Sequence, residues 1–396
     1  MKRLVLGSMK ILVIILILLF PFQTRADQAL CSIANSALKD AEQIRGLKRK
    51  KEIPCKVQNI DEVKKFLLKT ITEKTPTQKM EMEEFVFKTL GMLPEDFDYK
   101  KGLIDFYASQ AGGYYNPEKK EFVMAAWMPC MLQTTVAVHE LTHALQDQYY
   151  DLEAFTDLEK FTTDELLARS ALIEGDATAV MTDYTRRLLG QKGIANDKNV
   201  DGVMLQNAIG FSVMAGNVSV PRGLQMLLFF PYTSGLRFVH QVLNRSGYKG
   251  LDSVFNRVPL STREILHPED YFQRKEWRGD FSMDLLLEKR GKKKEALLYR
   301  DVLGEFFISV LLQSLGENGA KAAQSAAGWK SDHLLVFSEA TGKKEVFWVI
   351  EWDTVPDLKE FYASYSAGLK RRQKKASYSF DFEEEAKKLS VLFRQE

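Results

Sequence analysis

What the chain lacks narrows the field first. It has three cysteines, Cys31, Cys55 and Cys130, and no C-x-x-C pair. That leaves out cysteine-built zinc ribbons and dithiol redox chemistry. No G-x-x-x-x-G-K-[ST] loop is present, so no phosphate cradle of that type is written in it. Charge of one sign is not in excess. The formal net charge is +2, and residues 1–26 carry Lys2, Arg3, Lys10 and Arg25 with no acid, so the remainder is close to neutral. A near-neutral chain has no electrostatic footprint for nucleic acid, and none is expected as a partner. Internal repeats are absent. Histidine is scarce, with five in 396 residues. What is there is an ordinary globular balance of 45% apolar and 27% charged residues, enough chain for two or three packed units.

The first residues read as an export signal. Lys2 and Arg3 precede an unbroken apolar run, Ile11 to Phe20, and Thr24 and Ala26 place small residues where a signal peptidase cuts, before Asp27. The alternative is an N-terminal membrane anchor, although the run is short for a bilayer span. Leu30 before Cys31 fits lipoprotein processing poorly. An exported, periplasmic or extracellular protein can hold a disulfide. Cys31–Cys55 is the favoured pair, a staple on a small N-terminal segment, with Cys130 left over. Residues 27–60 look loosely organised. The basic run Lys48 to Lys51 reads as a solvated patch, or as a contact with an anionic cell surface that would associate the protein with the cell envelope.

Two of the five histidines stand in Val136-Ala137-Val138-His139-Glu140-Leu141-Thr142-His143-Ala144-Leu145, an H-E-x-x-H pattern inside a helical apolar repeat. Histidines four apart lie one turn from each other on one helix face, and both imidazoles can reach one Zn²⁺. Glu140, beside the first ligand, can touch a water at the metal without binding the ion. The helix is expected from near Thr134 to Tyr149, capped by Thr134 or Thr135. Gln110 to Pro117 opens a hairpin, and Glu121 to Ala125 reads as a strand shortly before the helix. In zinc peptidases such a strand offers its edge to an extended substrate.

A second helix is expected from Asp164 to about Leu189. Its Gly175 costs about 1 kcal/mol relative to Ala, which makes sense where another helix or a metal comes close. A carboxylate on this helix would complete three ligands and leave a fourth position for water. Glu174 is favoured over Glu165 and Asp183 because its neighbours are small. Pro221 to Val242 reads as buried helix, containing His240 in a structural place. The stretch Ser261 to Tyr271 is polar yet lies beside an apolar block, and contains His267. Further on are a helix over Val302–Leu315, strands at Leu334–Ser338 and Glu345–Glu351 near His333, a last helix from about Val355, and a charged tail from Lys370.

These blocks together resemble a group of bacterial secreted proteins related to gluzincin metallopeptidases. The resemblance is carried by Ser109–Pro117, His139–Gln148, Ala171–Thr178, Phe230–Val239, Ser261–Tyr271, Gly328-Trp329 and Trp352-Asp353-Thr354. It implies that His139, His143 and Glu174 hold zinc and that Glu140 is the catalytic base. Thermolysin-like members place an Asp one turn after the ligand glutamate to orient a histidine ligand; here that position is Thr178. Asp176 or a backbone carbonyl is the expected substitute. The fold expected is α+β and mostly helical: a zincin-like catalytic domain with a small antiparallel sheet beside the histidine helix, and a C-terminal α+β segment. Its boundaries are expected at 1–26 (signal), 27–98 (N-terminal helical segment), 99–285 (peptidase core) and 286–396 (C-terminal segment packed on the core).

The function expected is zinc-dependent hydrolysis of a peptide bond by an exported endopeptidase, with a protein or peptide as substrate. His267 is the first candidate for the donor that steadies the carbonyl oxygen, ahead of Tyr232, Tyr271 and Arg263. Two other classes compete: a metal-holding scaffold without activity, and a zinc hydrolase of a non-peptide amide such as cell-wall material. The intact Glu140 argues against the first, because a structural metal site has no use for that carboxylate.

Overall fold

A computed structural model describes residues 28–110, 112–206, 219–273, 282–372 and 376–395. The expected export signal and its expected cleavage point lie outside the described residues. No helix among the described residues is long and apolar enough to cross a membrane. The architecture is α+β, with two small sheets. The chain forms two compact units, each discontinuous in sequence. Unit 1 comprises residues 1–66, 110–153 and 177–194; unit 2 comprises 67–109, 154–176 and 195–396. This division follows neither the boundary expected after residue 98 nor the one expected after 285.

In unit 1 the N-terminal segment is more ordered than its composition suggests. Residues 28–45 are helical, with Ala34, Ala37, Leu38, Ala41 and Ile44 buried at helical spacing. Cys31 is bonded to Cys55, as expected, and Cys130 is the free thiol. Three strands form one sheet: β1 (Cys55–Gln58), β2 (Gly113–Asn116) and β3 (Glu121–Ala125), in the order β1-β3-β2. The hairpin β2–β3 is antiparallel, as its turn residues predict, but β1 runs parallel to β3. The sheet is therefore mixed rather than antiparallel. β3 is buried along its whole length, and the histidine helix Cys130–Tyr150 packs on β2 and β3. That helix starts four residues before the expected Thr134. Pro129 caps it with an extended ψ of 133°, so helix begins at the residue after the proline.

Unit 2 holds the larger core. Five antiparallel strands run in the order β4-β5-β6-β8-β7, with β4 Leu297–Asp301, β5 Trp329–Ser338, β6 Lys344–Trp352, β7 Ala376–Glu383 and β8 Lys388–Gln395. Side chains alternate between two apolar faces. Leu334, Val336, Trp348 and Ile350 join the main cluster with Phe307, Leu311, Phe361 and Tyr365 of the helices Gly304–Ser314 and Val355–Arg371. Leu335, Phe337, Phe347, Val349 and Leu392 face Leu286 and Leu287 of the helix Met283–Arg290. Burial on both faces removes the polar alternation that marks a strand. The segment read as a charged tail supplies β7 and β8: Lys370, Arg371, Arg372, Lys374 and Lys375 precede the hairpin, and Glu384, Glu385 and Lys387 fall in its turn. Trp329, Trp348 and Trp352 are fully buried core residues, not a surface for substrate.

The polar stretch Ser261–Tyr271 is the junction of this unit. Ser261 caps the short helix Thr262–Leu266 by accepting from the Arg263 amide. The Thr262 amide and hydroxyl both donate to Asp164 Oδ1. Arg263 spans Asp270, the Trp329 carbonyl and Asp353 with its three guanidinium nitrogens. Burial pushes Asp164 from 3.8 up to about 7, against the hydrogen bonds from Thr262 and Ser261 that favour the ionised form. A carboxyl whose folded pKa lies above its unfolded one binds the extra proton in the folded state. The stability it contributes is full below the unfolded pKa of 3.8 and is lost as pH rises through about 7. The urea midpoint of the wild-type chain is therefore expected to fall between pH 5 and 7.5, and Asp164→Asn to flatten that fall. An unchanged pH slope in the variant counts against this assignment.

Candidate metal centre

The histidine helix brings its two imidazoles together from one face. His139 and His143 are both buried, their rings meet edge to face, and their Nε2 atoms lie 3.1 Å apart. Two ring nitrogens at that distance need a proton or a cation between them. Ligand nitrogens on one tetrahedral zinc, each about 2.0–2.1 Å from it, stand about 3.3 Å apart. His143 Nδ1 lies 2.9 Å from Gln146 Oε1. An amide oxygen only accepts, so Nδ1 carries the hydrogen and Nε2 is left with its lone pair for a metal. Glu174 completes a group suited to a metal ion. One ligand atom each from His139, His143 and Glu174 lie within 4.8 Å of one another. A set of two imidazoles and one carboxylate is a donor set that zinc accepts.

Gln146 was not among the expected partners, which were Asp176 or a backbone carbonyl. It orients His143 from the same helix, and its signal was in the sequence: residues three apart share a helix face. Losing such a partner weakens metal binding about 10–100-fold. Gln146→Ala is expected to raise the zinc dissociation constant by that factor. Gln146→Glu, with a charged acceptor, should restore affinity or exceed wild type. Competition with a chromophoric chelator measures both, and equal affinity in all three proteins would remove Gln146 from this role.

Glu140 is set by the strand beside it. Its Oε2 accepts from the Tyr115 backbone amide at 3.0 Å. The register pairs Tyr114 with Val123 and Tyr115 with Phe122, and β2 is the edge strand of its sheet. Ala125 N donates to Gly112 O, so in the alternating ladder the Tyr115 amide points away from β3. Tyr115 is held a second time, its hydroxyl donating to Asp147 Oδ2 at 2.7 Å, while Lys120 Nζ and the Leu152 amide bind Oδ1. Glu140 and Asp147 are two turns apart, so β2 is pinned along the helix at two points. Gln148 closes the block: its Oε1 accepts from the Lys50 and Lys51 amides, its Nε2 donates to the Lys51 carbonyl, and Lys50 Nζ lies over the Tyr149 ring. The Tyr149 hydroxyl donates to the Lys48 carbonyl, so three of the four residues of the basic run are fixed to the end of the histidine helix.

In unit 2, Gly175 explains itself. A Cβ on it would stand 2.4 Å from the Gly235 carbonyl, and one on Gly235 would stand 2.2 Å from the Ala171 carbonyl. The helices Thr163–Leu188 and Arg222–Asn256 cross there at backbone contact, next in sequence to Glu174. The close approach anticipated for this glycine is thus with a helix.

His267 is not in the metal group. It joins the short helices Thr262–Leu266 and Pro268–Phe272, and its amide donates to the Arg263 carbonyl. Its Nε2 lies 2.7 Å from Glu305 Oε1, a bond that raises its pKa. Of its rivals as oxyanion donor, Arg263 is fully engaged as described, and the Tyr271 hydroxyl donates to the Arg257 carbonyl. Tyr232 lies half-buried on the helix Arg222–Asn256. His240 is buried, with Nε2 3.2 Å from the Asp197 carbonyl, in keeping with a structural place.

A family model described as a domain of unknown function (DUF8575) matches residues 295–393, which cover β4 to β8 of unit 2. No curated protein matches the chain. No solved structure matches it.

Proposed function

We propose that the protein is an exported zinc-dependent endopeptidase with a zincin-like catalytic centre, in which His139, His143 and Glu174 hold the metal and Glu140 is the general base. The observation that carries this reading is the convergence of these three ligands beside a carboxylate that is not one of them. Zinc held there supplies a Lewis acid that acidifies water and polarises a carbonyl. Glu140 takes the proton from the attacking water and delivers it to the leaving amine. One of its oxygens is fixed by the Tyr115 amide, which aims the other without a rearrangement at the moment of transfer. β2 is an edge strand beside the same carboxylate, and with the Tyr115 amide taken by Glu140 an extended peptide would add to the sheet through the remaining outward backbone groups of β2. The Cys31–Cys55 disulfide supports an oxidising compartment and so export.

The direct test measures zinc content and cleavage of an unfolded protein by the purified chain. The reading expects one zinc per chain, loss of cleavage with a chelator, and recovery with added zinc. Glu174→Ala is expected to lose the metal and the activity together. If that variant binds zinc as tightly as wild type, Glu174 is not the third ligand. Stoichiometric zinc with no cleavage of any unfolded protein would overturn the peptidase reading.

A further inference from the structure

Unit 1 carries a group of large apolar side chains that its core leaves in water. In the loop entering the histidine helix Trp127 is 39% exposed, and in the first turn of the helix Met131 is 85% and Leu132 40% exposed. At the end of the helix Thr163–Leu188, Leu188 and Leu189 are each 67% exposed. Ile60 is 43% exposed. Three observations bring these stretches to one end of the unit. β1 and β3 are parallel with Gln58 opposite Ala125, so Ile60 and Trp127 both leave the sheet two residues past the same rung. Trp127 leads in three residues to the start of the histidine helix, where Met131 and Leu132 lie in the first turn. Thr134, in the next turn, is hydrogen-bonded to Tyr184, and Leu188 follows Tyr184 by one turn.

The exposed charges of the segment that carries the leucines are basic, and the adjoining Asp183 is turned onto the Ile194 amide. Thr185 to Gly193 contains Arg186, Arg187 and Lys192 and no acid, with Arg187 and Lys192 exposed. The apolar side chains sit on a loop and on helix ends, and protrude rather than line a groove. Protruding apolar groups with basic neighbours suit a deformable apolar phase with an anionic boundary, in which the apolar tips insert and the cations stay at headgroup level. A folded protein partner would need a matching pocket for each tip.

We propose that this end of unit 1 seats on the surface of an anionic lipid bilayer, with Trp127, Met131, Leu132, Leu188 and Leu189 entering the headgroup region and Arg187 and Lys192 meeting lipid phosphates. The surface stands apart from the peptidase reading and survives or fails without it.

Cys130 provides the probe without mutation, since it is the free, exposed thiol between Trp127 and Met131. The full chain is labelled there with an environment-sensitive fluorophore and mixed with vesicles of phosphatidylcholine alone or with phosphatidylglycerol. Emission is expected to shift to the blue with the anionic vesicles, with an apparent affinity about tenfold or more above that for neutral ones, and to return toward the aqueous value in high salt. Leu188→Asp/Leu189→Asp and, separately, Met131→Asp change exposed positions, and each is expected to abolish the shift while the circular dichroism is unchanged. A chain held on a vesicle only through its N-terminal apolar run would leave the dye in water, and that result overturns the proposal. So does an undiminished shift in the double-leucine variant. A shift that grows with protein concentration in the absence of vesicles, with a dimer in sedimentation, would assign the face to a second copy of the chain instead.

Discussion

Glu140→Gln is expected to keep its zinc and lose about 10³-fold in kcat on an unfolded protein substrate, the middle of the range for a general base. The substitution separates position from chemistry. The amide oxygen of the glutamine can still accept from the Tyr115 amide that holds Glu140 Oε2 at 3.0 Å. The proposed metal ligands are untouched, so zinc stoichiometry should equal that of wild type. What the glutamine cannot do is take a proton from water. Activity measured alongside zinc content decides the matter. Cleavage near the wild-type rate in a zinc-loaded Glu140→Gln protein would leave the carboxylate with a structural task and remove it as the general base.

The second large effect belongs to unit 2 and has nothing to do with catalysis. Asp332 lies fully buried and accepts four N–H donors: the Leu303 and Gly304 amides at 3.0 Å, Trp329 Nε1 at 3.0 Å and Trp348 Nε1 at 2.9 Å. Burial pushes its pKa up to about 6, with these donors opposing. Asp332→Ala leaves four buried donors without an acceptor, each costing about 1–3 kcal/mol. The sum, on the order of 5 kcal/mol or more, is comparable to the whole stability of an ordinary domain. The variant is expected to be unfolded or nearly so at 25 °C by urea titration. Asp332→Asn keeps one accepting oxygen but turns an amide toward donors, so it should fall between. An Asp332→Ala protein with a wild-type urea midpoint would refute this account of the hub.

How much of this was legible beforehand depends on whether the signal is local. The spacing of His139 and His143 is a property of one helix, and so is the step from His143 to Gln146, although only the first was read. Gly175 announced a close approach, because a glycine inside a helix needs a reason. The β2–β3 hairpin followed from its turn residues. The parallel partner β1 did not, because its pairing joins residues 55–58 to residues 122–125 with no mark in either stretch. β7 alternates polar and apolar residues from Ser377 to Glu383, a signal obscured by the charges on either side of it, whereas β8 is apolar on both faces over Val391, Leu392 and Phe393. For His267 the electrostatic partner was out of reach of the sequence. A histidine in a polar stretch looks available for chemistry, and only the fold placed Glu305 at 2.7 Å from it.

By itself the sequence determined the helix that carries His139, Glu140 and His143, the candidate third ligand in Glu174, and the α+β class, since each rests on a period or a spacing within one segment. The tertiary structure decided the rest. It supplied the Tyr115 amide that fixes Glu140, the gathering of the three candidate ligand atoms, the mixed order of the small sheet, and the use of Ser261–Tyr271 as a buried junction. These depend on which groups from distant segments meet, and a buried polar group accepts whichever partner the packing brings within about 3 Å.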